Sequence, residues 1–331
     1  MPSGLRANAD GPIPRIDLTP LVAGCVDSTS AGNVIAQMRD ACAGIGFMTI
    51  TGHGVPAQVV EDAVAAARRF FELPLEAKLA SAPRRWNDAS PNSYRGYFPS
   101  STHGKEGLDI GDPALTPKEG ALLARPYYEL NRYPGELDPD WREAVSRYFA
   151  ALFGLGQRLL EALVASLGGD PARVAAAFVR PRSLSTLRLN FYPRLASPVE
   201  SSPEDGSPLA CETHVDSGVL TILYPGREGG LQVQDRTRRW HDVPFEPLAF
   251  VVNTGLALQR LSGGRFPATR HRVRISTRER LSIPFFFEPP HDLPVDPSAL
   301  GLPGRSSPGV VSYEAFLTNA LEGFVEYDRD S

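Results

Sequence analysis

Residues 211–234 read CETHVDSGVLTILYPGREGGLQVQ, which places His214 and Asp216 one residue apart just ahead of two short apolar runs. The runs, Val219 to Tyr224 and Leu231 to Gln234, are bounded by Gly, Pro and Asp and read as strands. Runs of the same kind lie on either side, at Thr186 to Tyr192, Trp240 to Val243, Ala249 to Asn253, Thr269 to Ile275 and Leu281 to Phe287. Many short strands at fairly regular spacing predict an antiparallel sandwich or barrel.

Before Arg182 the apolar period lengthens to that of helices. Val34, Ile35, Met38, Cys42 and Ile45 recur at helical spacing over Ala31 to Ile45, with Ser30 as the expected N-cap. Gly46 to Thr51 alternates as a strand does, Pro56 opens a second helix that stops near Leu73, and Trp141 to Gly168 reads as the longest helix, backing the core. Ile13 to Leu18 reads as a short strand, residues 1–12 as a loose arm, and Tyr313 to Phe324 as a closing helix. Ala80 to Asp140 is rich in Pro, Gly, Asn and Ser and reads as a long aromatic loop, a candidate wall for a bound molecule. The shift near residue 180 divides one compact domain into residues 1–180, a core at 181–290 and a C-terminal loop and helix at 291–331.

With 331 residues and 42% hydrophobic content the chain can bury a large core. Its 34 Lys and Arg are scattered among 38 acids for a net charge of -4, so no nucleic-acid surface is expected. Three cysteines at irregular spacing (Cys25, Cys42, Cys211) argue against a disulfide framework and suit a reducing compartment. The N-terminus lacks an apolar signal region, and no apolar run approaches the roughly 20 residues of a membrane span. The expectation is a cytoplasmic monomer or weak homodimer with no nucleic-acid or membrane partner.

On a strand, residues two apart share a side, so His214 and Asp216 can converge on one ion while Val215 packs into the opposite layer. A distant histidine, His271, would complete a set of two imidazoles and a carboxylate, which holds a non-haem Fe(II) on one face and leaves other positions open. Spacing does not choose this set. Glu212 has the parity of Asp216, and His53, His103, His241 and His291 compete for the third place.

Cys211 to Val233, LRLNFYP from Leu187, RFPATRHRV from Arg265 and RLSIPFFF from Arg280 together resemble the isopenicillin N synthase-like family of Fe(II)- and 2-oxoglutarate-dependent oxygenases. IPRIDL from Ile13, GFMTITGHGVP from Gly46, FFELPLEAK from Phe70 and YRGYFP from Tyr94 resemble that family's N-terminal region, in the expected order. The resemblance implies an α+β fold, a distorted double-stranded β-helix (jelly roll, cupin-like) backed by N-terminal and central helices. It implies His214, Asp216 and His271 as iron ligands, Arg280 and Ser282 for the distal carboxylate of 2-oxoglutarate, and Tyr192 with Asn190 in the cosubstrate pocket. Arginine suits this role as a permanently charged fork for a carboxylate, and a serine two residues on shares its side of the strand. The sequence departs from the family where Leu256 follows Gly255 and where Ser262, Gly263 and Gly264 replace a more usual Thr-Asn-Gly, which bears on the hydrogen bonding before His271.

The activity so implied is oxidation of an unactivated C–H of a small organic molecule by O₂, coupled to decarboxylation of 2-oxoglutarate and stimulated by ascorbate. Hydroxylation, desaturation and ring formation are all open, and the family suggests bacterial specialised metabolism such as antibiotic biosynthesis. Two other readings stand beside it. One is an isopenicillin N synthase-type oxidase that uses no 2-oxoglutarate, for which a C-terminal glutamine reaching iron is expected; the stretch Glu322 to Ser331 has none. The other is a metal-binding jelly roll without catalysis, whose closed site would need a fourth ligand. Candidate substrate-facing residues are Tyr94, Arg95, Tyr97, Tyr127, Tyr128, Leu223, Phe285 and Phe287.

Overall fold

The computed structural model describes residues 13–22, 28–99, 105–194, 200–303 and 309–322. The expected arm at 1–12, Cys25, His103 and the end of the closing helix at Phe324 lie outside the described residues. In chain order the elements are β1 (Arg15–Asp17), α1 (Thr19–Val22), α2 (Ser28–Ala43), β2 (Phe47–Thr51), α3 (Ala57–Phe71), α4 (Leu75–Leu79), β3 (Gly96–Phe98), β4 (Glu106–Ile110) and α5 (Gly120–Leu123). Then come α6 (Pro139–Ser166), α7 (Pro171–Ala177), β5 (Thr186–Tyr192), β6 (Glu200–Ser201), β7 (Pro208–His214), β8 (Leu220–Tyr224), β9 (Leu231–Gln234) and β10 (Trp240–Asp242). The chain closes with β11 (Phe250–Thr254), α8 (Leu256–Leu261), β12 (His271–Arg274), β13 (Arg280–Phe287) and α9 (Tyr313–Leu321).

The strands form an eight-stranded sheet in the order β1-β2-β11-β8-β13-β5-β4-β3 and a five-stranded sheet in the order β10-β9-β12-β7-β6. The fold is α+β, a distorted double-stranded β-helix backed by helices. Strands from before residue 180 cap both ends of the larger sheet, so the N-terminal region shares its hydrogen bonding with the core.

Helix α6 begins where Asp138 accepts from the Trp141 N–H at 2.8 Å and Pro139 pre-sets the first turn. It buries Val145, Phe149, Leu152, Phe153, Leu159 and Leu160 against the outer face of the larger sheet. Gly156 permits the approach, since a Cβ there would stand 2.7 Å from the Phe287 ring. By length and composition alone α6 could cross a membrane, contrary to expectation, but 56% of its apolar window is buried inside the protein and it is a core helix. Helix α2 starts two residues before Ser30, so Ser30 lies within the helix and is not its cap.

The segment 80–140 is not one loop. It contains β3 and β4, and β4 pairs with β5 from Glu106↔Phe191 to Ile110↔Leu187. These strands carry Gly and charged residues and lack a continuous apolar pattern, because one face of β4 turns toward the polar interior of the barrel. Helices α7 and α8 and strand β7 are likewise additions to the sequence reading.

Candidate active site

The two histidines meet across a strand pair. His271 opens β12 and His214 ends β7; they are directly opposed in register, and their ring centroids lie 4.2 Å apart. Asp216 lies beyond the end of β7, in the turn leading to β8. The parity argument for the pair is therefore corrected: His214 and Asp216 converge because the chain bends, and Val215 is half-buried in that turn and fills no opposite layer.

Backbone contacts orient each donor. The Nδ1 of His214 lies 2.8 Å from the Glu212 carbonyl and that of His271 3.1 Å from the Thr269 carbonyl. Each Nδ1 therefore carries the proton and each Nε2 offers a lone pair. The Oδ2 of Asp216 accepts from Thr221 Oγ1 at 2.5 Å and from Asn253 Nδ2 at 2.7 Å. Its Oδ1 stands 3.8 Å from His214 Nε2 and 3.6 Å from His271 Nε2. The three ligand atoms lie within 4.8 Å of one another, a spacing that fits one metal ion. Burial and the neighbouring His214 ring push the His271 imidazole down to about 4, and Asp216, despite its burial, is held below the usual carboxylate range by the two imidazoles, Asn253 and Thr221. Against the lowering effect of burial, Cys211 and Asp216 raise the His214 imidazole to about 9, so an incoming metal ion would have to displace a proton from His214, whereas His271 is neutral and Asp216 anionic beforehand.

The competitors fall away on geometry. Glu212 is exposed. His53 uses one ring nitrogen on the Leu248 carbonyl and the other on the Val55 N–H, His241 pairs with Asp235 at 2.7 Å, and His291 sits against Tyr128. Thr221 and Asn253 were not expected as orienting residues. Asn253, a buried amide in the apolar run FVVNT, is the signal that could have found one of them.

Across the cavity the larger sheet places Arg280 opposite Tyr192 and Ser282 opposite Asn190. All four line the same cavity as the metal donors, and the Arg280 guanidinium stacks 4.8 Å from the Tyr192 ring centroid. Arg280 is 2% exposed, donates to the Pro225 carbonyl at 2.9 Å and lies 3.5 Å from Ser282 Oγ, while its Nε has no acceptor. Gly226, at φ +76°, lets that turn close on β13, where a Cβ would strike the Leu281 carbonyl at 2.1 Å. A buried guanidinium with an orphaned donor fits a carboxylate ligand.

The loop that departs from the family makes its own hydrogen bonds. The Leu256 N–H donates to the Asp216 carbonyl at 2.8 Å, and Ser262 Oγ accepts from the Phe266 N–H at 3.1 Å.

Of the residues expected to face a substrate, Leu223 lines the cavity. The others are corrected. Phe285 and Phe287 point away from the barrel, onto Phe149 and onto Phe153 and Phe178. Strand parity demands this: Arg280, Ser282, Pro284 and Phe286 share the inner face, so the odd-numbered residues take the outer one. Tyr97 donates to Glu106 at 2.6 Å and packs on Phe70; Tyr127 bonds Thr318; Tyr128 donates to the Arg182 carbonyl. Arg95 bonds Thr186 Oγ1 and the Leu184 carbonyl, and its guanidinium covers the buried Tyr94 ring.

A two-histidine, one-carboxylate set inside a jelly roll, facing a buried arginine, defines a non-haem iron oxygenase. The model of the 2OG-Fe(II) oxygenase superfamily matches residues 184–289, and that of the N-terminal region of non-haem dioxygenases in morphine synthesis matches 13–145. The chain belongs to this superfamily and is an oxidoreductase that uses Fe(II) and 2-oxoglutarate. It is 30% identical over 328 residues to isopenicillin N synthase of Lysobacter lactamgenus, covering 95% of this chain and 97% of the relative. Among solved structures, the dioxygenase for auxin oxidation of rice aligns with TM-score 0.71 at 28% identity, over 94% of this chain and 95% of that one. JOX2 in complex with 2OG, Fe and JA aligns with TM-score 0.70 at 27% identity, over 93% and 84%.

Proposed function

We propose that the protein oxidises an unactivated C–H of a small organic molecule, by hydroxylation, desaturation or ring formation, within bacterial specialised metabolism. His214 Nε2, His271 Nε2 and Asp216 Oδ1 hold Fe(II). Arg280 and Ser282 take the distal carboxylate of 2-oxoglutarate, with Tyr192 and Asn190 along its flank. Bound there, the metal and cosubstrate supply the oxidising chemistry with O₂. The protein's own part is positional: Thr221 and Asn253 fix which carboxylate oxygen faces the metal, the Glu212 and Thr269 carbonyls fix the imidazole tautomers, and Phe47, Leu223 and Phe286 supply an apolar wall. The observation that carries the reading is the facing of the metal set and the orphaned Arg280 across one cavity.

Anaerobic reconstitution with Fe(II), with and without 2-oxoglutarate, tests it. The expected results are a weak metal-to-ligand charge-transfer band that needs 2-oxoglutarate, then succinate release in air. Absence of both at saturating iron overturns the proposal. O₂ consumption without either would assign Arg280 and Ser282 to a substrate carboxylate instead.

A further inference from the structure

We infer that Gly255 is a positioning residue for the metal: by lacking a side chain it lets the backbone between β11 and α8 seat directly on the turn that carries Asp216. The inference rests on the oxygenase reading of the site and adds to it what holds the main chain of the carboxylate ligand. Asp216 lies past the end of β7, outside the ladder that aligns His214 with His271. The segment 255–257 takes over that task. The Gly255 N–H donates to the Val219 carbonyl at 3.1 Å and the Leu256 N–H to the Asp216 carbonyl at 2.8 Å. The Ala257 N–H donates to the Ser217 and Gly218 carbonyls at 3.0 and 3.1 Å. Every carbonyl from Asp216 to Val219 is thus held by three consecutive N–H groups.

Space, and not backbone conformation, demands a glycine at this position. Gly255 has φ -107° and ψ 176°, extended backbone that any residue adopts. A Cβ there would stand 2.2 Å from the Gly218 carbonyl oxygen, 2.9 Å from the Gly218 carbonyl carbon and 3.0 Å from the Asp216 carbonyl oxygen. All three are main-chain atoms, so no change of rotamer relieves the overlap, and either the turn or the segment 255–257 must move. On its other side the turn is tied to β13, where the Val219 N–H donates to the Phe287 carbonyl at 3.2 Å. Two residues before Gly255, Asn253 holds Oδ2 of Asp216. One stretch, 253–257, therefore fixes both the carboxylate and the peptide from which it springs. Loosening that stretch carries Asp216 Oδ1 off the point where the Nε2 atoms of His214 and His271 converge. Because the bond at position 256 comes from the main chain, Leu256 stands where relatives more usually carry an acid without releasing the turn.

The test uses the full chain titrated with Co(II), whose visible d–d absorption reports both affinity and coordination geometry, alongside denaturant unfolding of the metal-free protein. Gly255→Ala is expected to lower Co(II) affinity about 10- to 100-fold and to shift the d–d bands, as loss of support behind a ligand does. Leu256→Ala keeps the backbone bond and is expected to bind Co(II) within about twofold of wild type. Gly169→Ala is the control for general loosening, since its Cβ would meet Leu302 Cδ2 at 2.5 Å and the Leu300 carbonyl at 2.9 Å, away from the metal turn. It should lose stability and keep the wild-type affinity and bands. Wild-type affinity and bands in Gly255→Ala overturn the inference, as does an equal loss of metal in Gly169→Ala or Leu256→Ala. If Gly255→Ala does not fold, an amide-to-ester exchange at Leu256 decides, because it deletes the one N–H that reaches the Asp216 carbonyl. That exchange is expected to lower Co(II) affinity about fivefold, and unchanged affinity overturns the inference. Failure of wild-type protein to bind Co(II) at all would instead remove the metal reading beneath it, and the inference with it.

Discussion

Replacing Arg280 with methionine separates a ligand-binding role from a structural one. The guanidinium is 2% exposed and forms no ion pair with a carboxylate among the described residues; its protein acceptors are the Pro225 carbonyl and, more distantly, Ser282. Burying such a cation costs several kcal/mol, and exchanging buried charges for apolar groups of similar volume is often neutral or stabilising by about 1–4 kcal/mol. Against this stands the unmet Pro225 carbonyl, worth about 1–3 kcal/mol. The ligand-free variant is therefore expected to unfold within about 2 kcal/mol of wild type. Removing one partner of a buried, hydrogen-bonded charge pair costs about 2–5 kcal/mol, so 2-oxoglutarate affinity should fall roughly 30- to 4,000-fold. Thermal unfolding with Mn(II) and graded 2-oxoglutarate reads both quantities. At a ligand concentration about 100 times the wild-type Kd, wild type gains about 2.7 kcal/mol, and the variant should gain about 0.9 kcal/mol at most. A variant that keeps the wild-type gain refutes the assignment of Arg280 to the cosubstrate. One that collapses without ligand shows that the Pro225 bond is its main task.

Other expectations concern the metal, the strand faces and pH. Asp216→Ala should lose iron, and Asn253→Ala should lower metal affinity about 10- to 100-fold by freeing the carboxylate to rotate, read by metal titration; unchanged affinity would mean that Thr221 alone holds the carboxylate. Phe285→Ala should cost about 3–5 kcal/mol in denaturant unfolding because its ring is fully buried against Phe149, whereas Phe286→Leu should cost under about 1.5 kcal/mol and change turnover; the reverse order would invert the faces of β13. Burial raises the Glu288 carboxyl to about 7, a shift that Arg95 and Tyr313 oppose without cancelling. Folded Glu288 keeps its proton where the unfolded chain has lost it, so this group's contribution to stability falls as pH rises from about 4.5 to about 7 and is flat above. Glu288→Gln should thus gain about 2.5 kcal/mol relative to wild type between pH 5 and pH 8, read from denaturant midpoints at both; parallel curves would show that the acid ionises normally.

Much of the core was legible in the chain because strands that bury one face alternate, and that local pattern survives without knowledge of partners. Thr186 to Tyr192 and Leu231 to Gln234 form strands with the bounds read from the sequence. The expectation of Phe285 and Phe287 in the cavity failed on β13 for a reason the chain itself carries: on a strand they cannot share a side with Arg280 and Ser282, and parity selects Phe286. Strands β3 and β4 were not legible, because the pairing of β4 with β5, and of β3 with β4, supplies what their short, Gly-containing sequences lack.

The sequence by itself determined the chemical kinds present, two histidines, an aspartate and an Arg-x-Ser on apolar strands, together with the periodicity that makes a jelly roll. Only the tertiary structure decided which histidine joins His214, since register between strands 57 residues apart is a property of the closed sheet pair. It also decided which oxygen of Asp216 faces the metal, because Thr221 and Asn253 reach that carboxylate from two other strands. Ligand identity is written in side chains, whereas ligand orientation is written in contacts between segments that meet only on folding.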